Sequence, residues 1–366
     1  MKRNHTQAAA LADRASSATI AFLGALHITI FAITFLLAAS LMANAQSNTA
    51  TTDPLPTCQG ANLLEQMAAN EPEKLAQINT EAAQVPFGEG LLFKLEKEGR
   101  TASYLFGTMH MTDPRVISLP TAAQNAFDGA QIIAVESTEV LDPTKAQLAL
   151  MARPELTMFT DDTRLSDFLD ENQKEVLSEG LAQKGMQLAL VDRMKPWMLA
   201  GMMALPACEM ARKQAGKPFL DMALAQNAQN SGKELVGLET FVEQFDAMAS
   251  LPMEFHVKGL IDTLTMGDKA GDITETMIVL YTQGKTGTVW PLMRAFSARE
   301  DGALGEGNAA FEEAMVNRRN ITMLERSMPL LERGNAFVAV GALHLPGEKG
   351  LAQLYQNAGY TVTRVQ

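Results

Sequence analysis

Residues 335–344 read Asn335-Ala336-Phe337-Val338-Ala339-Val340-Gly341-Ala342-Leu343-His344, and the fold is decided by how this run is interpreted. Ala336–Val340 is a short apolar run with β-branched residues, too brief for a typical helix, so it reads as a strand. Gly341 and His344 then make a GxxH turn, followed by Leu345-Pro346, a helical stretch Leu351–Asn357 and a closing strand Thr361–Val365. The same phrase occurs far upstream. Tyr104-Leu105-Phe106 is apolar, Gly107-Thr108-Met109-His110 repeats the GxxH, and Asp113-Pro114 follows. A third match, Gly24–His27, falls in an apolar leader and is set aside.

Working outward, Leu91–Leu95 and Ala102–Phe106 flank Glu96-Lys97-Glu98-Gly99-Arg100, a hairpin signal. Gln131–Val135 reads as a buried strand that stops at Glu136, and Lys233–Gly237 as one more strand. Between them, Asp142 to Asn230 is helical in pattern, opening on Asp142-Pro143 as cap and first helical residue. Phe241–Phe296 and Asn308–Arg333 are helical again. Strand–helix–strand order at each end predicts an α/β fold with partly parallel pairing. The expected architecture is a sheet formed from the N- and C-terminal parts of the chain, flanking helices, and a large helical insertion. We expect one domain over 58–366 with a helical cap about 140–330.

The chain has 366 residues, 47% hydrophobic and 20% charged, which is globular composition. Its formal charge of −12 argues against a nucleic-acid partner, because phosphate is repelled. Lys2 and Arg3 precede an apolar run from Ile20 to Met42, and Ala43-Asn44-Ala45 supplies an A-x-A site. That predicts a signal peptide over 1–45 and a linker over 46–57. The run is also long enough to span a bilayer, so an uncleaved anchor is the alternative. Either way the remainder is expected outside the cytoplasm, in the periplasm or anchored facing it, and any membrane contact is confined to the N-terminal segment. Export makes a Cys58–Cys208 disulfide the expected state of the two cysteines, with two buried thiols as the alternative.

Sites in α/β sheets form beyond the carboxyl ends of strands. Two GxxH loops on neighbouring strands would bring His110 and His344 together, with Glu136 ending a third strand in the same crevice. Gly107 and Gly341 would let the backbone turn sharply or approach a ligand closely. Two imidazoles and a carboxylate suit a divalent metal cation with an open position for water, which is hydrolytic chemistry. Without metal, the same trio could act as base, orienting partner and acid. The spacing is not HExxH, and no GxSxG, phosphate loop or nucleotide fingerprint occurs. His256 is expected at the surface or half-buried. Met194, Met198, Met202 and Met203 are expected to fill a helical core rather than bind copper.

At these residues the chain is similar to the TraB/GumN family, related to TraB/PrgY proteins and the Tiki metalloproteases. The matching segments are Tyr104–Met111, Gln131–Ser137, Lys233–Gln244, Arg319-Asn320 and Asn335–Tyr360. The resemblance implies a compact α/β fold and a metal-supported hydrolase site. It assigns His110, His344 and Glu136 as ligands or catalytic groups, and Gly107 and Gly341 as shapers of their turns. Arg319 would hold a substrate carboxylate or pair with Glu136, and Glu239 matches a family position explained equally by packing. Arg318 departs from the pattern, standing where an acidic residue commonly precedes Arg-Asn. The leading expectation is an exported metal-dependent hydrolase of a peptide or small acyl substrate. A metal-independent esterase-like hydrolase and a non-catalytic ligand- or metal-binding protein are its rivals.

Overall fold

The computed structural model describes residues 58–267, 269–297 and 303–365. The expected leader, the linker and the Gly24–His27 match lie outside these residues. Among the described residues, no helix is long and apolar enough to cross a membrane.

The strands are β1 (Leu92–Glu96), β2 (Ser103–Thr108), β3 (Ile132–Val135), β4 (Glu234–Gly237), β5 (Ala336–Gly341) and β6 (Thr361–Val365). They form a six-stranded sheet in the order β4-β3-β5-β2-β1-β6. β4, β3, β5 and β2 run parallel, while β1 lies antiparallel to both β2 and β6. The fold is the expected mixed α/β, with both chain ends contributing to one sheet and helices inserted between. The β1–β2 connection closes tightly, Arg100 N–H donating to the Lys97 carbonyl at 3.1 Å. Gly99 takes φ 73° there, which a side chain resists.

Period-two alternation divides β5 between two cores. Phe337 and Ala339 face one apolar cluster, and Ala336, Val338 and Val340 face the other. Helices Arg318–Arg333 and Leu351–Asn357 cover the second face through Met323, Leu331, Leu351 and Tyr355. Helices Thr121–Gly129 and Leu220–Asn230 cover the first through Phe127, Leu220 and Leu224. A third cluster belongs to the inserted helices alone, uniting Leu177 and Leu181 with Leu199, Ala200, Val257 and Leu260. Met198 is buried in the first cluster, and Met194, Met202 and Met203 pack against cluster edges. These thioethers fill gaps between helices.

Two expectations change in detail. The long helical pattern after Phe241 is interrupted at Ser250-Leu251-Pro252, where the proline starts a new helix, Met253–Thr265. His256, on that helix, is fully enclosed rather than at the surface. Its Nε2 lies 3.1 Å from the Met248 carbonyl, and its ring 4.4 Å from that of Trp197.

Cys58 and Cys208 are bridged, 150 positions apart with Cα atoms 5.1 Å from each other. In the chain-entropy picture, closing a loop of that length contributes roughly 4–5 kcal/mol. Thiol titration of the unfolded, unreduced protein is therefore expected to find no free thiol. Reduction should lower the unfolding free energy by about 2–5 kcal/mol in urea melts; two titratable thiols before reduction would refute the bridge.

Candidate active site

The parallel register sets the site. Gly107 pairs with Val340, Thr108 with Gly341, and Val135 with Ala339. The carboxyl ends of β2, β5 and β3 are thus level, and the residues just beyond them share one crevice. His110 Nε2 lies 4.0 Å and His344 Nε2 3.8 Å from the same oxygen, Glu136 Oε1. All three side chains are buried.

Each ring is held from behind. His110 Nδ1 lies 2.8 Å from Asp221 Oδ2, and the other oxygen of Asp221 accepts from the Thr108 hydroxyl at 2.7 Å. His344 Nδ1 is 2.7 Å from Asn320 Oδ1. The orientation of that amide is fixed, because Asn320 Nδ2 donates to the carbonyls of Lys349 at 2.8 Å and His344 at 3.3 Å. Oδ1 can only accept, so His344 Nδ1 carries the proton and its Nε2 presents a lone pair to the crevice. Burial pushes the His344 imidazole down to about 3, with Arg319 adding to the effect, so the ring stays neutral. His110 moves the other way: burial would lower its pKa, but Asp221, with help from Glu136, raises it.

Glu136 is a buried carboxylate with dedicated partners. Arg319 Nη2 donates to Oε2 at 2.7 Å, Gln244 Nε2 to the same atom at 3.3 Å, and Gly341 N–H to Oε1 at 2.6 Å. Burial alone would raise its pKa, yet Arg319, both histidines and the Gly341 amide hold it at about 2. Arg319 also grips Glu239, with Nη2 to Oε2 at 2.7 Å, and donates to the Met315 carbonyl at 3.0 Å. A π turn over Glu313–Asn317 immediately precedes its helix. Of the two roles expected for Arg319, this geometry serves pairing with Glu136. Arg318, the departure from the family pattern, is exposed.

The two glycines act by vacancy rather than by bending the chain. Gly107 lies within β2, Gly341 has φ −52°, and neither adopts a left-handed conformation. A Cβ on Gly107 would stand 2.6 Å from Leu345 Cδ1 and 3.0 Å from Ala342 Cα, so the first loop packs directly against the second. A Cβ on Gly341 would sit 3.0 Å from Glu136 Oε1, 3.5 Å from His344 Cδ2 and 3.6 Å from His110 Nε2. The missing side chain leaves a space central to the trio.

Among the described residues, no group of three or more His, Cys, Asp or Glu is close enough to form a ready-made metal site. The trio is somewhat spread: ligands at the usual ~2.1 Å from zinc stand roughly 3.4 Å apart. In kind and direction, however, the donors fit a divalent cation. Two Nε2 atoms, at least one a fixed lone pair, and one ionised carboxylate oxygen border a space a methyl group would fill. Each Nδ1 is backed by an oxygen acceptor, as is usual behind metal-bound imidazoles.

Asp221, Asn320 and Gln244 do not emerge as site residues from sequence spacing. Asp221 opens helix Leu220–Asn230 within the insertion, and only packing aims it at His110. The Arg319-Asn320 pair is the one signal that could have found Asn320.

This is an α/β protein with two histidines and a glutamate converging beyond parallel strands. The sequence profile of the TraB/PrgY/gumN family matches residues 91–364, a span holding His110, Glu136, Arg319 and His344, and the chain belongs to that family. Metalloprotease TIKI2 of Danio rerio is 24% identical over 301 residues, 71% of this chain and 58% of that protein. A metalloprotease TIKI homolog of Amphimedon queenslandica is 25% identical over 193 residues, 48% of this chain and 38% of its own length. The chain thus spans less than two thirds of the length of either relative. No solved structure matches it.

The Glu136–Arg319 pair yields a stability prediction. Glu136 falls from 4.5 to about 2 on folding, so its contribution is present above about 4.5 and is lost as pH falls toward 2. Glu239, whose pKa is raised by burial, contributes in the opposite sense, lost as pH rises through its folded value. Glu136→Gln should therefore flatten the acid limb of urea-unfolding free energies, and an unchanged limb would refute the assignment. Arg319→Leu, which strands a buried carboxylate, should cost about 3–5 kcal/mol at neutral pH.

Proposed function

We propose that this chain is an exported hydrolase of a peptide or related acyl bond. In this reading His110 Nε2, His344 Nε2 and Glu136 Oε1 hold a divalent cation. The observation that carries it is the approach of both Nε2 atoms to one carboxylate oxygen, each ring anchored through its opposite nitrogen. Membership of a family with metalloprotease relatives supports the reaction class. Export rests on the basic, apolar and A-x-A pattern of residues 1–45.

Bound there, a divalent cation supplies Lewis acidity, acidifying water and polarising the substrate carbonyl. The protein's own groups do the rest. Asn320 keeps the His344 Nε2 lone pair directed inward. Asp221 restrains His110 and compensates positive charge on it. Arg319 keeps Glu136 ionised, so that its Oε1 is ready to ligate a cation. Burial of all three keeps bulk water from competing. The Asp221–His110 contact also supports a metal-free reading, in which His110 takes the proton from water and Asp221 offsets the resulting charge.

Metal analysis and hydrolysis of a peptide and ester panel, on protein purified without an affinity tag, test the proposal. The expected result is stoichiometric divalent metal, lost in His110→Ala and His344→Ala. Hydrolysis should drop at least about 100-fold in those variants and in Glu136→Gln. Activity that survives chelation would replace the metal reading with the metal-free one. Bound metal with no turnover of any panel member would leave only a binding protein.

A further inference from the structure

A second cavity, a groove of about 760 Å³, opens beside the loop that follows His110 and is lined by Thr112, Asp113, Arg115, Arg212, Lys217 and Cys58. The disulfide can therefore be reached from one side. Cys58 is half-buried and forms part of the groove wall, whereas Cys208 is buried. Arg212 Nη2 lies 3.1 Å from Cys58 Sγ and 3.3 Å from Glu209 Oε1, so one guanidinium nitrogen serves both a sulfur and a buried carboxylate. Arg212 Nε also donates to the Thr112 hydroxyl, and Thr112 in turn donates to Glu209 through its amide and its hydroxyl. A bridged sulfur is a weak, neutral acceptor. A thiolate in the same place carries a full negative charge and competes with Glu209 for Arg212.

The segment carrying Cys58 has other anchors. Ala61 N–H donates to Asp272 Oδ1 at 2.7 Å and Leu63 N–H to Thr276 Oγ1 at 2.9 Å, both on helix Lys269–Thr282. Opening the bridge is thus a local event. We propose that Cys58–Cys208 is a thiol–disulfide exchange site, opened by a dithiol reductant entering this groove, and that its opening frees the loop carrying His110. A thiolate of the reductant attacks Cys58 Sγ, the S–S bond breaks, and the electron pair leaves on Cys208 Sγ, which takes up a proton. Cys208 is the second residue of helix Ala207–Gln214, where the positive end of the helix favours an anionic leaving group. The second thiolate of the reductant then attacks its own sulfur in the mixed disulfide, and Cys58 leaves as a thiolate beside Arg212. The chain gains two electrons, the dithiol becomes a disulfide, and its two protons pass to Cys208 and to water. Drawn toward the Cys58 thiolate, Arg212 releases Glu209 and Thr112, and the His110 loop loosens. Neither hydrolysis nor a bound metal is needed for this inference.

Glutathione, added to the folded full chain and followed by an acid quench and mass mapping, should leave a mixed disulfide on Cys58 rather than on Cys208. Dithiothreitol should reduce the bridge at least about tenfold faster than the chain unfolds globally. Hydrogen exchange, read before and after that reduction, should quicken at the Thr112 amide by at least about tenfold while the His344 loop keeps its protection. Reoxidation should restore the protection of Thr112. Cys208→Ser, which leaves a free thiol at Cys58, should show the faster Thr112 exchange with no reductant present; if that variant does not fold, the measurements on the unaltered chain decide alone. Reduction no faster than global unfolding, an adduct chiefly on Cys208, or exchange that is unchanged at Thr112 or quickened equally in both histidine loops would overturn the proposal. The hydrolase reading stands or falls separately, on metal content and turnover of the bridged chain.

Discussion

A carboxylate buried at the end of a parallel strand must be neutralised, protonated or paired, and here it is paired. Glu136 remains ionised because Arg319 reaches it from a helix on the other side of the chain's insertion. That single ion pair fixes much else. It ties helix Arg318–Arg333 to the carboxyl end of β3, which brings the next residue, Asn320, against His344. It also draws in Glu239, since Arg319 bonds both glutamates. Glu136 and Glu239 share the Arg319 guanidinium, while Asp221 lies against His110. Asp221, and after it Glu136, raise the pKa of His110 against the effect of its burial.

The sheet and the inserted helices divide the work. β2, β3 and β5 carry His110, Glu136 and His344 just beyond their ends, at heights fixed by backbone pairing. The helices deliver the groups that orient them: Asp221, Gln244, Arg319 and Asn320. Backbone register positions residues to within fractions of an ångström. Helix packing, by contrast, can drift and still bury its apolar stripe.

That division also explains what could be read in the sequence. Strand ends carry a local signature, a short β-branched run followed by a breaker, so Gly107, His110, Glu136, Gly341 and His344 stood out from neighbours alone. Asp221 carries no such mark. It is an acid near a helix start, and such residues are common in solvated positions. His256 was misjudged for the same reason. Mixed polarity along helix Met253–Thr265 suggested exposure, yet packing against Trp197 enclosed it. Arg319 was legible as important but not as to role, because a single arginine suits a substrate carboxylate and a structural one equally. The glycines were legible as special. Their reason, room for a neighbouring loop and for the trio's centre, needed the sheet order.

The disulfide connects these parts in a way that spacing alone did not suggest. Cys208 begins the turn of helix Ala207–Gln214 whose next residue, Glu209, is wholly buried. Glu209 Oε2 accepts both the amide, at 3.0 Å, and the hydroxyl, at 2.8 Å, of Thr112, two residues beyond His110. Arg212 on the same helix donates to the Thr112 hydroxyl at 3.1 Å and, through Nη2, contacts Cys58 Sγ at 3.1 Å. The loop carrying His110 is therefore clamped from behind by a helix that the bridge itself anchors. A buried Glu209 is tolerable only while Thr112 and Arg212 compensate it, so loosening the helix would expose that charge to a poorer set of partners. The placement of His110 thus depends, through Thr112 and Glu209, on a covalent link that oxidising conditions favour.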